Sequence, residues 1–193
     1  MDALGLFMQR FDAVHGGFVD ELFRGITDDQ VRERPQGLNS VAWLVWHVSR
    51  VADAVVSGFV ADRPQVLDAD WSRRLRVERR DVGPGMTGDE VQTLSGRIDL
   101  AALRAYQRAV GERVKAVAAG LPPAAWDAVV PPEQVRRVVA DQGLLLDAGK
   151  WVEEFWAAGH PRGWYLLQVG LLHPYGHWFD AMVTRGRLRG DRA

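Results

Sequence analysis

With 193 residues, 47% of them hydrophobic and 25% charged, the chain has an ordinary globular composition and enough length to bury a substantial core as one domain over 1–193. Its 24 basic and 25 acidic residues leave a net charge of −1, which offers no broad attraction to phosphate backbones or anionic lipid, so nucleic acid is not an expected partner. Cysteine is absent, which excludes disulfides, zinc–thiolate sites and a cysteine nucleophile; any metal has to be held by His, Asp or Glu, and any thiol has to arrive with a substrate.

The opening "MDALGLFMQRFD" lacks the basic start and long apolar run of a signal peptide, and no stretch is apolar enough for a membrane span, so a cytoplasmic location is expected. Leu4, Phe7, Phe11, Val14, Phe18 and Leu22 recur every three or four residues and predict an amphipathic helix over 2–24. "TDDQ" at 27–30 fits a capping box that opens a short helix ending before Pro35. Asn39 or Ser40 then caps a second long helix that runs to about Asp62, ahead of Pro64.

Residues 63–98 are rich in charge, Gly and Pro and predict a long connection, with one short helix behind a second capping box of Thr87 and Glu90. Asp99 caps a third long helix over 100–119, and "GLPP" at 120–123 ends it. Two shorter amphipathic pieces follow at 132–141 and 146–157. A last helix runs from Gly163 to Arg185 with Gly186 as its C-terminal cap, and the basic "RGRLRGDR" reads as a helix end followed by a solvated tail. No segment alternates like a strand. The fold class expected is all-α, a four-helix bundle with at least one long crossover.

Bundles place their sites between facing helices, so inward polar residues matter most. His47 lies on the apolar second helix one turn after Trp43. His173 and His177 share one stripe of the last helix with Leu166, Gly170 and Ala181. Positions i and i+4 lie about 40° apart around a helix, so both imidazoles can reach one ion. With His47 they make three neutral nitrogen donors, a set that suits zinc or nickel and leaves coordination positions open for water or substrate.

Pro174 stands between the two histidines and removes the hydrogen bond to the carbonyl of Gly170. Either a new helix begins at Pro174 and leaves His173 outside, or one helix continues with a bend near Gly170; the in-phase apolar stripe favours the bend. Arg50 is a candidate catalytic residue that anchors a substrate carboxylate, or else a surface partner of Asp53. Asp180 either orients His177 or is simply exposed. His15 reads as a core or pocket-lining histidine, His160 as a loop residue, Glu153 and Glu154 as a solvated face, and Trp43 and Trp178 as packed residues or pocket walls.

Two of these stretches together resemble a known family. "GLNSVAWLVWHVSRVAD" (37–53) is similar to the second-helix signature of the DinB/YfiT-like superfamily, a small-residue cap leading into W-H-[VI]-x-R-x-x-[DE]. "LLHPYGHWFDAMVTRGRLRG" (171–190) resembles its fourth-helix signature, H-x-x-x-H before a closing R-G turn, with Pro174 as a departure. The resemblance implies an up-down-down-up bundle with short extra helices and a divalent metal on His47, His173 and His177. It further implies a thiol-dependent S-transferase or isomerase, related to the mycothiol-dependent maleylpyruvate isomerases, in which the metal activates a low-molecular-weight thiol such as bacillithiol, mycothiol or glutathione toward a small electrophile. Pairing of two copies through bundle faces is implied as well. The alternatives are a non-catalytic metal or small-molecule binding protein of the same fold and a metal-free structural bundle.

Overall fold

In the computed structural model, which describes residues 3–190, four long helices carry the core and shorter ones lie in the connections between them, two of which are long. Helix α1 comprises Ala3–Asp12, a π-turn at Ala13–Gly17 and Phe18–Phe23. Short α2 (Asp28–Arg32) leads to α3, which is Val41–Ala54 extended by π geometry over Val55–Val60. Helices α4 (Ala69–Leu75) and α5 (Gly88–Arg97) lie in the connection to α6 (Leu100–Gly120). Helices α7 (Pro123–Trp126), α8 (Pro132–Gln142) and α9 (Trp151–Trp156) lie in the connection to α10, which comprises Arg162–Leu167, a π-turn at Gln168–Leu172 and His173–Arg189. Among the described residues there is no strand, only an isolated bridge between Val129 and Pro161.

The helix starts follow from local chemistry. Both predicted capping boxes form: Thr27 with Gln30, and Thr87 with Glu90, each satisfying two amide donors that the helix leaves open. Of the two candidate caps for α3 it is Ser40 that accepts from Trp43 N, at 3.0 Å, and its hydroxyl also meets Ser95 Oγ at 2.7 Å inside the core. Asp99 caps α6 by accepting from Ala102 N.

Contacts at the helix ends give the topology. Arg32 donates to Ser95 O and Ile98 O just before α6, beside the start of α3, whereas Arg113 late in α6 reaches Pro64 O just past the end of α3. Helices α3 and α6 therefore run in the same direction, and the chain needs the long crossover to return between them. Thr184, late in α10, donates to Asn39 O at the start of α3, so α10 opposes α3. Arg185 of α10 reaches Arg24 O and Trp178 reaches Val14 O, so α10 runs with α1. The order is up-down-down-up. One continuous apolar cluster fills the space between these helices, with Trp46, Tyr106, Tyr165 and Trp178 among its largest fully buried members.

Several expectations need correction. Helix α4 lies in a stretch expected to be irregular; Asp68 caps it by accepting from Trp71 N, but its charge-rich "ADWSRRL" carries little apolar periodicity. Helix α7 forms just behind "GLPP", and the piece expected at 146–157 divides into a 3₁₀ turn at Asp147–Gly149 and α9. Helix α10 ends at Arg189 with Gly190 in left-handed geometry, so Gly186 is an interior residue. Arg185 is the reason: it is buried, bonded to Arg24 O and paired with Glu21 at 3.1 Å, so the helix is held past it by tertiary contacts rather than released into a tail. Residue 2 of the first predicted helix and residues 191–193 of the basic tail lie outside the described residues.

Candidate metal centre

The bend expected near Gly170 is a π-turn, and α10 continues through it to Pro174 and beyond. His173 N closes the wider turn onto Gln168 O. Pro174 has no amide to offer the carbonyl of Gly170, and His15 supplies the missing donor: its Nε2 lies 3.0 Å from Gly170 O. A side chain from α1 thereby satisfies a buried carbonyl on α10, and His15 stacks on Phe11 with ring centroids 3.9 Å apart. The facing π-turn of α1 mirrors this, since Val14 O and His15 O accept from Trp178 Nε1 and Gln107 Nε2. Gly170 packs against the rings of Phe7 and Phe11 on α1; a Cβ there would lie 3.3 Å from the Phe7 ring.

Because α10 is continuous, His173 and His177 project toward His47 on α3. The candidate ligand atoms of the three side chains lie within 4.8 Å of one another, and the Nε2 atoms of His47 and His173 are 3.1 Å apart. Two nitrogens bound to one zinc ion at the usual length and a tetrahedral angle sit about 3.3 Å apart, so the pair is already close to a ligating separation. The ring centroids of His177 lie 4.8 Å from His47 and 4.6 Å from His173, with the rings edge to face.

Hydrogen bonds select the free nitrogen on two of the three rings. His47 Nδ1–H donates to Val82 O in the crossover, which leaves Nε2 as a lone pair toward the other histidines. His177 Nδ1–H donates to Asp180 Oδ2 at 3.0 Å, leaving its Nε2 free in the same way. Asp180 thus takes the orienting position that the sequence left open. His173 Nδ1 is buried with no hydrogen-bond partner. Burial, with His177 nearby, lowers His47 to about 3, against the raising effect of the Val82 hydrogen bond. Burial and then its two histidine neighbours also hold His173 well below 6.5, so both rings are neutral at pH 7 and carry lone pairs. Three convergent imidazole nitrogens without thiolate or carboxylate fit a borderline divalent ion such as zinc or nickel.

The trio forms one end of a cavity of about 420 Å³. Trp43 stacks on His47 at 4.8 Å and, with Val51, Trp156 and Val169, makes its inner wall. Trp151 and Phe155 of α9 stand at its outer edge, 70% and 44% exposed. Gln168 is the one polar lining residue besides the histidines, and no Lys, Arg, Asp or Glu is among the described residues that line it. Gly83, with φ +111°, lets the crossover pass against the site, where a Cβ would lie 3.0 Å from both His47 Nδ1 and Trp43. Trp178 is not a wall; it is fully buried between α10 and α1.

Arg50 is placed elsewhere. Its side chain is 1% exposed and its guanidinium donates to Gln65 Oε1, Tyr106 Oη, Arg80 O and Asp53 Oδ2, the last at 3.5 Å. It lines a separate cavity of about 250 Å³ with Gln65, Arg80 and Gln142, and the surface pair expected with Asp53 is instead a buried network. His160 stacks on Trp164 at 3.5 Å beside Phe155, and Glu153 and Glu154 face Arg136 on α8. Sequence reasoning missed Val82, Gly83, Trp151, Phe155 and Gln168, which reach the site through the two connections or from another stripe of α10. The Gly-Pro-Gly run at 83–85 and the aromatic cluster "WVEEFW" were the only signals present for them.

Comparison with known proteins agrees with this architecture. The chain is similar in fold to a solved structure described as "Crystal structure of the conserved protein of locus from Enterococcus faecalis", with a TM-score of 0.75 over 98% of this chain and 99% of that one and 17% sequence identity. No match was found among curated proteins. The family model described as "DinB superfamily" matches residues 18–153, well over half of the sequence, taking in His47 and the crossover and ending before His173 and His177. With that match and the up-down-down-up bundle in agreement, the chain belongs to the DinB superfamily.

Proposed function

We propose that the chain is a metal-dependent enzyme that joins the sulfur of a low-molecular-weight thiol to a small electrophile, or uses the same attack to isomerise it. The observation that carries this reading is the convergence of three histidines, all within 4.8 Å, on an apolar cavity of about 420 Å³. A zinc or nickel ion held by His47, His173 and His177 would lower the pKa of a thiol bound to it, so that thiolate is present at neutral pH. The chain's own residues do the rest. Val82 O and Asp180 fix the tautomers of His47 and His177, Trp43 and Val169 exclude water beside them, and the cavity holds the electrophile. The sulfur must come with a cosubstrate, since the chain has no cysteine. Arg50 enters this reading as a support that ties α3 to the crossover.

The test is consumption of thiol by the untagged protein, loaded with zinc or nickel, in the presence of bacillithiol, mycothiol or glutathione and a panel of small electrophiles. Metal-dependent turnover that His47→Ala and His177→Ala abolish is expected. Absence of metal-dependent turnover with all three thiols would contradict the reading and favour a binding protein of the same fold.

The same proposal includes a homodimer formed through the outward stripe of α10, where Leu172, Phe179 and Val183 are exposed. Sedimentation should show wild type as a dimer and Phe179→Glu as a monomer; a monomeric wild type at tens of micromolar would contradict it.

A further inference from the structure

We propose that the group received by the cavity beside the histidines is uncharged and aromatic, a flat ring held between the Trp43 side and the Trp151–Phe155 edge. This deepens the proposed function, on which it rests only for the identity of the reacting centre. Three observations carry it. The first is chemical: apart from the histidines at the proposed metal centre, the lining offers a single polar side chain, Gln168, and no Lys, Arg, Asp or Glu among the described residues. Away from the metal centre a carboxylate or phosphate in this space would lose water and meet no cationic side chain, whereas an apolar ring loses nothing that needs replacing. The second is shape. Trp43, Trp151, Phe155 and Trp156 place four aromatic side chains around the cavity, a lining suited to a flat ring.

The third observation is the state of the outer edge. Trp151 is 70% exposed and Phe155 44% exposed, on the same helix, α9, whose Val152 and Trp156 turn inward to the core. Two large aromatic side chains at the rim of an apolar cavity give a ligand ring a surface to cover that the folded chain leaves in water. Gln168, on the π-turn, can then offer a directional hydrogen bond to a carbonyl or hydroxyl on that ring. A small aromatic ketone, aldehyde, alcohol or quinone-like electrophile meets these conditions; a dicarboxylic acid does not.

The experiment uses a matched pair, 2-naphthylmethanol and 2-naphthoate, which share the ring system and differ in charge. Binding of each to the full chain is measured by equilibrium dialysis, first with divalent metal removed by chelator and then with zinc added. In the chelated protein the alcohol should bind on the order of tenfold tighter than the carboxylate. Trp151→Ala, at a position too exposed to affect folding, should weaken the alcohol severalfold. Equal or tighter binding of the carboxylate, no binding of either compound, or binding indifferent to Trp151→Ala would each overturn the inference. The zinc arm reads the metal centre independently: failure to take up zinc would contradict the proposed function while leaving the chelated result standing, and normal zinc uptake with no preference for the alcohol would do the reverse.

Discussion

Pro174 removes an amide from the helix that carries His173 and His177, and His15 supplies a donor in its place from a different helix. That substitution is what lets His173 and His177 share a face with no break between them. It also has a cost that depends on pH. Burial holds His15 at about 4 against a usual 6.5, although its bond to Gly170 O and the charge of Asp12 both act to raise it. Between those values the unfolded chain binds a proton that the folded chain does not, so His15 contributes fully to stability above pH 6.5 and that contribution is lost as pH falls toward 4. The loss amounts to about 3 kcal/mol. Urea unfolding of wild type and His15→Gln, whose amide can still donate to Gly170 O but does not titrate, isolates it. The stability difference between the two proteins should shift by about 3 kcal/mol in favour of the variant between pH 7 and pH 4. A difference that does not change with pH would contradict the account of His15.

Among the elements, the junction of α3 with the crossover depends most on a single side chain. Asp53 is fully buried and accepts from Val66 N and Leu67 N at 2.8 Å each, from Tyr106 Oη at 2.7 Å and from Ser57 Oγ at 3.1 Å. Through Arg50 it also reaches Gln65 and Arg80, so one carboxylate and its arginine tie residues 65–67 and Arg80 of the crossover to α3. Asp53→Ala would leave two backbone amides unpaired and a buried guanidinium without its carboxylate, at a cost of about 3–5 kcal/mol. Urea unfolding should show that loss, with faster hydrogen exchange at Val66 and Leu67; a cost under about 1 kcal/mol would mean that the network is not holding the crossover. The sequence left Arg50 as either a substrate anchor or a surface partner of Asp53, the second because oppositely charged residues three apart on a helix usually face water. The three-dimensional cause of their burial, a crossover that folds back over the end of α3, has no local signature.

For the molecule as a whole, what was legible in the sequence is what short-range chemistry decides. Capping boxes at Thr27 and Thr87, caps at Ser40 and Asp99 and the apolar stripes of the long helices are local, and the structure has each of them. The histidine trio was legible for a related reason: helical spacing alone aligns His173 with His177, and a bundle brings another helix opposite. The chamber was not legible, because its walls come from α9 and the crossover; Val82, which orients the His47 ring, lies 35 positions from it. The donor that rescues Pro174 was out of reach as well, since His15 and Gly170 are separated by 155 positions.

The account stands or falls on whether those three histidines bind one ion. Zinc titration of the untagged chain, followed by calorimetry with metal content checked by mass spectrometry, measures this directly on wild type, His47→Ala, His177→Ala and the control His160→Ala. Wild type and His160→Ala should each take up about one equivalent with equal affinity. The two ligand variants should bind at least about a hundredfold more weakly, beyond what losing an orienting hydrogen-bond partner costs. Stoichiometric zinc in His47→Ala at undiminished affinity, or none in wild type, would contradict the assignment of this site.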